Sequence, residues 1–243
     1  MEQVKLEIIE NKPITDSVFQ MKLKGNISGV TNAGQFVNIK LDGLYLRRPI
    51  SVCDYENDTL TIVYKVVGKG TEQMSQMTSG SLDVLTGLGN GYNIDNNAQN
   101  VLLLGGGVGV PPLYNLAKKL INSGKKVCVI LGFNTKSEVF YENEFKELGA
   151  DVTVATADGS YGVNGFVTDA IPENYDYFYT CGPEPMLKAV YKFTKTSGQF
   201  SFEERMGCGF GACMGCSCKT LTGYKRICKD GPVLEKEEIL WED

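Results

Sequence analysis

The sequence predicts an antiparallel β-barrel, a doubly wound parallel α/β domain and a short cysteine-rich segment, in that order along the chain. Residues 1–98 alternate short apolar strands with turn residues, whereas residues 99–203 alternate strands with helices. Residues 204–243 contain five of the 8 cysteines. A chain of 243 residues suits two domains with a small appendage.

The first part has the period of two that is typical of half-buried strands. Val4, Leu6 and Ile8 alternate with charged residues, residues 19–24 repeat this pattern, and apolar strands are predicted at 36–41 and 60–67. Turn residues such as Asn, Asp and Gly separate these runs, and a short helix is predicted at 71–78. Strands at this spacing favour a small barrel.

The second part begins after a polar, turn-rich linker at 92–99. An apolar strand at 100–104 leads into a glycine-rich turn and then a helix at 111–122. The alternation that follows predicts a doubly wound parallel sheet. Its predicted strands are 126–132, 151–156, 175–181 and 199–203, and its predicted helices are 137–148, a short one near 165–171, and 183–196.

The glycine-rich turn at 105–109 stands where a nucleotide pyrophosphate would approach the backbone at a helix N-terminus. Its sequence is not a standard GxGxxG followed by an acidic residue, so a tight turn that binds nothing is the alternative. Cys181-Gly182-Pro183 ends the last long strand at the same edge of the sheet. Taken alone, those three residues also suit an ordinary helix start.

In the barrel, Arg48 could clamp a phosphate and the Ser51 hydroxyl could hydrogen-bond a flavin ring nitrogen. A solvated basic pair, Arg47 and Arg48, is the plainer interpretation. Gly70 and Thr71 precede the short helix, where backbone N–H groups could bind a second phosphate or Thr71 could simply cap the helix.

The C-terminal cysteines follow the spacing C-x4-C-x2-C at Cys208, Cys213 and Cys216, with Cys228 after eleven more residues. This spacing is typical of the four thiolate ligands of a plant-type [2Fe–2S] cluster. The glycines between the ligands let the backbone bend around a small inorganic core and aim N–H groups at sulfur. A structural zinc site is the alternative, and Cys218 is a surplus thiol.

Composition restricts the chemistry. The chain has no histidine, which excludes Ser-His-Asp and Cys-His catalysis and a histidine acid or base. The net charge of −5 argues against nucleic acid and anionic membranes as partners. The charged N-terminus lacks the apolar stretch of a signal peptide, no apolar run is long enough to span a membrane, and three further cysteines lie in strand-like contexts as reduced thiols. We therefore expect a cytoplasmic protein.

The chain resembles the ferredoxin–NADP reductase superfamily in three features taken together: a barrel with Arg-Pro-Ile-Ser, the GGGVGVPP turn and the CGP strand end. The segment MGCGFGACMGCSCK, with CKDGP after it, is similar to the electron-transfer subunits of bacterial NAD-dependent dihydroorotate dehydrogenases. The resemblance covers essentially the whole chain.

This resemblance implies FAD in the barrel, a [2Fe–2S] cluster on the cysteines, and NAD as co-substrate in the α/β domain. A separate FMN-containing catalytic subunit would oxidise dihydroorotate to orotate, in pyrimidine biosynthesis, within a heterotetramer of two of each subunit. The implied FAD contacts are Arg48, Pro49, Ile50, Ser51, Val63, Tyr64, Lys65, Gly70 and Thr71; the NAD contacts are Gly105, Gly106, Gly107, Gly109, Cys181, Gly182 and Pro183; the cluster ligands are Cys208, Cys213, Cys216 and Cys228.

The order of cofactors also has a chemical reason. Nicotinamide exchanges two electrons as hydride, a cluster takes one, and a flavin does both, so the flavin must lie between them. Electrons would then run from the partner's FMN through the cluster and FAD to NAD+. No residue here resembles a catalytic base for an organic substrate. We therefore expect the loop around Phe210 and Met214 to lie near a partner interface.

Two other functions remain open at this point. The chain could be the small subunit of a transhydrogenase, a sulfide dehydrogenase or a related electron-bifurcating complex, although some of those have Asp as the first cluster ligand and position 208 here is Cys. It could also be a zinc-stabilised nucleotide-binding module without redox activity. NAD is favoured over NADP because the loop at 133–138 has no arginine for a 2′-phosphate, despite Lys136 and Ser137.

Overall fold

A computed structural model describes residues 1–241. Six antiparallel strands close a barrel in the order β1–β2–β5–β4–β3–β6, with helix α1 between β5 and β6. The bounds are β1 Glu2–Pro13, β2 Val18–Lys24, β3 Phe36–Lys40, β4 Arg48–Glu56, β5 Thr59–Lys65, α1 Lys69–Ser75 and β6 Ser81–Leu88. The sequence did not lead us to expect β6, in which Asp83, Thr86 and Gly87 interrupt the apolar pattern.

The second domain is built on a seven-stranded sheet in the order β10–β9–β8–β7–β11–β12–β15. Every neighbouring pair is parallel except β12 with β15. The bounds are β7 Asn100–Gly106, α2 Pro112–Asn122, β8 Lys126–Phe133, α3 Glu142–Glu147, β9 Asp151–Thr156, β10 Val163–Asn164, β11 Tyr177–Cys181, α4 Glu184–Phe193 and β12 Gly198–Ser201. Short 3-10 helices cover Gly107–Gly109, Lys136–Glu138 and Val167–Ala170.

The C-terminal segment forms the hairpin β13 (Ser217–Thr220) and β14 (Gly223–Arg226), then β15 (Val233–Glu235) and a 3-10 helix at Lys236–Glu238. Strand β15 pairs with β12, so the cysteine-rich segment contributes the antiparallel edge strand of the second domain's sheet. The segment is therefore attached to that sheet by backbone hydrogen bonds as well as by the chain.

Side chains alternate across the central strands and define two cores. Leu103 on β7 packs with α2 and with barrel residues such as Cys53 and Val63. Its neighbours Leu102 and Leu104 face the opposite side, where they pack with α4 and with the buried cysteines of the C-terminal segment. This two-sided burial is typical of a parallel sheet. The cysteine segment thus covers the face of the sheet that α4 also covers.

The predicted fold class is confirmed, and besides the unexpected strands β6 and β15 one predicted helix differs. The helix predicted at 137–148 is broken: Tyr141 has a left-handed backbone (φ 67°), and α3 begins only at Glu142. The buried Tyr141 hydroxyl accepts a hydrogen bond from the Cys53 thiol at 3.2 Å and donates to Gln20 Oε1 at 2.9 Å, so this side chain joins the barrel to the second domain. Tertiary packing has overridden helix propensity here. In the described part of the chain, no helix has the length and apolar character needed to cross a membrane.

Candidate functional site

The outer surface of the barrel carries the residues predicted to contact FAD. Val37 and Ile39 of β3 point into the barrel core, so Phe36 and Asn38 point outward. In the antiparallel register Ser51 is opposite Phe36 and Pro49 is opposite Asn38, which places Pro49 and Ser51 on the same outer face. Ile50 packs against the inner core instead, and its backbone is what it offers to a ligand on this face.

On β5, Val63 points outward into the core shared with the second domain, whereas Tyr64 lies inside the barrel. The Tyr64 hydroxyl donates to Asn11 Oδ1 at 3.0 Å and its ring stacks on Phe19, with centroids 5.9 Å apart. Burial raises the pKa of Tyr64 to about 12. Tyr64 therefore has only its backbone available to a flavin on the outer face.

Arg48 lies across the start of α1. A Cβ atom added to Gly70 would overlap the Arg48 guanidinium, so this glycine leaves the space that the side chain occupies. The Thr71 hydroxyl accepts from the N–H of Val67 at 2.9 Å and donates to the carbonyl of Gly68 at 3.0 Å. It thereby orders the turn before the helix. A guanidinium beside this turn has the charge and the paired donors needed to bind a phosphate.

A cleft of about 490 Å³ lies at the C-terminal edge of the parallel sheet. Gly106, Gly107 and Gly109 line one wall, and Gly182 and Pro183 line another. This is the edge at which α/β proteins bind ligands. The two stretches that the sequence predicted for a nucleotide meet here.

Direct strand pairing brings those two stretches together. Gly105 of β7 is in register with Cys181 of β11, and the Thr180 hydroxyl donates to the carbonyl of Leu104 at 3.0 Å. Neither Gly105 nor Cys181 is among the lining residues; each lies beneath the wall that its neighbours form. A Cβ on Gly109 would overlap the Cys181 carbonyl, so the backbones are in contact at this point.

Sequence reasoning missed the lining residues supplied by other strand ends. Most of them end β8, follow β9, β10 or β12, or lie in α4, because a parallel sheet places every C-terminal strand end on one edge. Lys65 reaches the cleft from the barrel, with its Nζ 3.9 Å from Glu138 Oε1. Lys65 was predicted only as an FAD contact, and the loop at 133–138 was considered only for its lack of an arginine. The lining residues that were missed are Val108, Gly132, Ala157, 165–168, Pro185, Met186, Ala189 and Glu203.

The four predicted cluster ligands occupy one loop and the turn that packs beneath it. Cys216 and Cys228 are buried at 3% and 1% exposure, Cys208 is half-buried, and Cys213 is exposed. The N–H groups of Ala212 and Cys213 donate to Cys208 Sγ at 3.3 and 3.4 Å, and the N–H of Cys228 donates to Cys216 Sγ at 3.4 Å. Backbone donors already face sulfur, as cluster thiolates require.

These donors divide the thiols electrostatically. Burial raises the pKa of Cys208, but the N–H groups of Cys213 and Phe210 outweigh it and lower that pKa to about 6. Burial raises the pKa of Cys228 to about 12, and its contact with Cys216 adds to the rise. The exposed end of the loop thus favours thiolate, whereas bonds to a cation would be needed to ionise the buried end.

The ligand arrangement also bears on which metal group fits. Within residues 1–241, no three His, Cys, Asp or Glu side chains converge on one point, as the ligands of a single ion do. A [2Fe–2S] cluster spreads four thiolates over two irons, and mononuclear zinc gathers four around one. The C-x4-C-x2-C spacing and the backbone N–H groups directed at the Cys208 and Cys216 sulfurs fit the cluster. Cys218 lies on β13, half-buried against the neighbouring core, and burial raises its pKa.

Arg226 braces the loop against the turn that carries Cys228. Its Nε and Nη2 donate to the two carboxylate oxygens of Asp230 at 2.9 and 3.2 Å, and its Nη1 donates to the Gly211 carbonyl at 3.1 Å. The Arg226 hydrogen bond and ion pair lower the pKa of Asp230. Gly211 itself has φ 88°, a left-handed conformation that side chains rarely adopt. The bidentate pair therefore fixes two stretches that carry predicted cluster ligands relative to each other.

Two family models match this chain. Residues 203–240 match the iron–sulfur cluster binding domain of dihydroorotate dehydrogenase B, and residues 103–192 match the oxidoreductase NAD-binding domain. The fold and site thus define a nicotinamide-dependent oxidoreductase with a C-terminal iron–sulfur segment.

Curated relatives match almost end to end. The chain is 43% identical over 256 residues to the dihydroorotate dehydrogenase B (NAD(+)) electron transfer subunit of Geobacillus sp. (strain WCH70), covering 99% of each chain. It is 47% identical over 248 residues to the corresponding subunit of Fusobacterium nucleatum subsp. nucleatum, covering 95% of each. The chain belongs to this family of electron transfer subunits, which confirms the resemblance seen in the sequence.

Two solved structures add to this. The chain superposes with a TM-score of 0.89 and 34% identity on a chain from a study of flavin-based electron bifurcation by an NADH-dependent reduced ferredoxin–NADP oxidoreductase, covering 97% of this chain and 90% of that one. A ferredoxin–NADP+ reductase from Neisseria gonorrhoeae, with bound FAD and NADP, gives a TM-score of 0.70 at 17% identity over 79% of this chain and 90% of that one. The latter shows the shared fold.

Proposed function

We propose that this chain passes electrons between a partner subunit and NAD+ in the oxidation of dihydroorotate to orotate. Its cofactors are FAD and a [2Fe–2S] cluster, with NAD as co-substrate, and it is an oxidoreductase subunit. The observation that carries this proposal is the position of the barrel's outer face. Lys65 of β5 reaches the nucleotide cleft, while Asn38 of β3 contacts the loop that carries Cys208. A flavin on this face would lie between the two.

Bound FAD would exchange hydride with the nicotinamide and single electrons with the cluster. The chain's own task is to bind and orient these groups. Arg48 and the turn at Gly70 and Thr71 suit the phosphates, and Ser51 offers a hydroxyl on the outer face. We assign FAD to Arg48, Pro49, Ile50, Ser51, Val63, Tyr64, Lys65, Gly70 and Thr71, with Ile50 and Tyr64 contributing backbone, and the cluster to Cys208, Cys213, Cys216 and Cys228.

We assign the nicotinamide nucleotide to the cleft walls at Gly106, Gly107, Gly109, Gly182 and Pro183, with Gly105 and Cys181 supporting them from beneath. NAD is favoured over NADP because the cleft contains the carboxylate of Glu138, which would repel a 2′-phosphate. The N–H and side-chain amide of Asn134 both donate to Glu138 Oε2, at 3.1 and 2.9 Å, and hold it in place.

We further propose that the partner is an FMN-containing catalytic subunit and that the complex is a cytoplasmic heterotetramer of two of each subunit. Phe210 and Met214 support a partner near the cluster, because these large apolar side chains are 43% and 54% exposed within the cysteine loop. Leu221 and Tyr224 on the adjoining hairpin are exposed as well.

The division into residues 1–98, 99–203 and 204–243 is retained as the functional division of the chain.

The decisive experiment isolates the native complex and identifies the co-purifying chain. We expect the co-purifying chain to contain FMN. This chain should contain FAD that NADH reduces, together with iron and acid-labile sulfide. Only the complex of the two chains should oxidise dihydroorotate. Dihydroorotate oxidation by this chain alone would refute the need for a partner. Colourless protein with zinc would refute the redox function.

A second candidate function rests on the 34% identity to the NADH-dependent ferredoxin–NADP oxidoreductase chain. In that case the co-purifying partner would reduce or oxidise ferredoxin and would have no activity toward dihydroorotate. The same purification separates the two functions, because dihydroorotate and ferredoxin can be tested as alternative electron donors to one complex.

A further inference from the structure

Asn38 is a buried polar residue on the outside of the barrel. It is 1% exposed, and its neighbours Val37 and Ile39 point into the apolar core. Its side chain lies beneath the cysteine loop, because its Nδ2 donates to the carbonyl of Cys208 at 3.1 Å, across 170 positions of sequence. A single amide thus joins the barrel to the first predicted cluster ligand.

The approach of the loop is close. Gly209 has a left-handed backbone (φ 79°), and a Cβ atom at this position would overlap Asn38 Nδ2. The loop therefore turns directly over the amide. From below, Arg47 Nη1 donates to the Asn38 carbonyl at 3.3 Å, and Arg47 also pairs with Asp83 at 2.8 Å. Asn38 is held in place on both sides.

Stability alone does not account for an asparagine here. Its Oδ1 is buried and has no hydrogen-bond partner among residues 1–241. A buried amide oxygen without a partner costs free energy, and an apolar side chain of similar size would avoid that cost. What Asn38 supplies is a directed bond to one carbonyl, next to Pro49 on the strand proposed to face FAD.

We propose that Asn38 is a positioning residue that fixes Cys208, and with it the near side of the cluster, relative to the flavin-facing strands. This inference rests on the proposed function, in which the cluster would pass electrons one at a time to FAD. With NADH as the donor the same step runs in reverse, and each cluster accepts one electron from reduced FAD. Asn38 exchanges no proton or electron. It sets the separation and surroundings of the two groups, as residues that support metal ligands do.

The test compares Asn38→Ala with Asn90→Ala. Asn90 is a matched control, since its Nδ2 donates to the carbonyls of Val233 at 2.8 Å and Asp230 at 3.4 Å and so ties the turn after β6 to the same C-terminal segment without contacting Cys208. Each purified chain is mixed rapidly with NADH. Bleaching of the flavin reports hydride transfer, and the later cluster absorbance reports the one-electron step. The reduced cluster's electron paramagnetic resonance spectrum and its potential are also recorded.

In Asn38→Ala we expect unchanged flavin reduction, a cluster-reduction rate lower by about tenfold, and altered resonance positions and potential. Asn90→Ala should leave both phases and the spectrum as in the wild type. If Asn38→Ala matches the wild type in both phases and in the spectrum, or slows both phases equally, the inference is wrong. If Asn38→Ala loses the cluster altogether, Asn38→Ser decides, because its shorter donor should retain the cluster with a shifted spectrum; an unshifted spectrum overturns the proposal.

Measurements on the wild-type chain distinguish failure of the positioning proposal from failure of the proposed function. A wild type without FAD or without a cluster refutes the proposed function itself. A wild type that carries both, together with an Asn38→Ala variant that is indistinguishable from it, refutes only the positioning role.

Discussion

The nucleotide cleft is lined by the ends of strands that pair with one another, whereas residues 208–216 of the cysteine loop form no helix or strand. The cleft is shaped by backbone ladders and by close contacts such as that of Gly109 with Cys181. The loop is held by side chains, through Arg226 on one side and Asn38 on the other. The cleft should therefore be formed without its ligand, whereas the loop should depend on its metal group for rigidity.

Removing a cluster ligand should give the largest effect and should be confined to the loop. In Cys216→Ser, a buried residue that we propose as a ligand loses its thiol. Loss of a residue that only supports a metal ligand can lower metal affinity about tenfold, so we expect iron content here to fall by more than about tenfold. FAD content and NADH-dependent flavin reduction should persist. Iron and sulfide analysis with flavin absorbance measures both.

Cys218→Ser is the matched control for that experiment, because Cys218 lies two positions away on β13 and is not a proposed ligand. It should retain the cluster. If Cys218→Ser lost iron and Cys228→Ser did not, the ligand set would be wrong. If Cys216→Ser also abolished NADH binding, the loop and the cleft would not be independent.

Gly109→Ala tests the cleft in the same way. The added Cβ would overlap the Cys181 carbonyl, and because backbone cannot move aside cheaply, we expect about 1–3 kcal/mol of destabilisation. Displaced cleft walls should raise the KM for NADH by about tenfold in flavin reduction. The cluster's absorption spectrum should not change.

Gly124→Ala provides the comparison for strain alone. Gly124 follows α2 with φ 83° and open space around its Cα, so an alanine there should cost about 1–2 kcal/mol from the left-handed backbone. Its KM for NADH should equal that of the wild type. An equal rise in KM for both variants would mean that general destabilisation, and not contact between the two walls, explains the result.

Arg48→Ala is expected to weaken FAD binding to the barrel, which lies between the cleft and the cysteine loop. A charge-assisted hydrogen bond to a phosphate is worth about 1.5–3 kcal/mol, so FAD affinity should fall by about tenfold to a hundredfold. Equilibrium titration of the apoprotein with FAD measures this. The exposed Lys69 at the start of α1 is the control for charge, and Lys69→Ala should have a clearly smaller effect. Equal losses would assign the effect to net charge.

The same contrast explains what could be predicted from sequence. The iron–sulfur segment and the NAD-binding domain could be predicted, because ligand chemistry and close backbone approach demand particular residue types at particular spacings. The pairing of β12 with β15 and the bond from Asn38 to Cys208 were not, since they join distant residues that carry no local signal. Tyr141 shows the opposite case, in which a local signal misleads. The helical pattern at 137–148 is interrupted at Tyr141, whose hydroxyl contacts Cys53, 88 positions away.

The smallest expected effect concerns the support beneath the loop. Burial raises the pKa of Asp83, but hydrogen bonds from Arg47 and Gln3 outweigh it and leave the pKa lowered from 3.8. Because the folded pKa lies below the unfolded value, the carboxylate stabilises the protein above about pH 4, and this contribution is lost as the pH falls through the folded pKa. Asp83→Asn should therefore cost about 0.2–1 kcal/mol in urea unfolding at pH 7.

The difference between Asp83→Asn and wild type should shrink as the pH falls below 3.8, when the wild-type carboxyl protonates as well. Because Arg47 also donates to the carbonyl of Asn38, Asp83→Asn should change the cluster's spectrum more than it changes the KM for NADH. A KM for NADH that changed while the spectrum did not would reverse this order. It would mean that the barrel transmits strain to the cleft more readily than to the loop that rests on it.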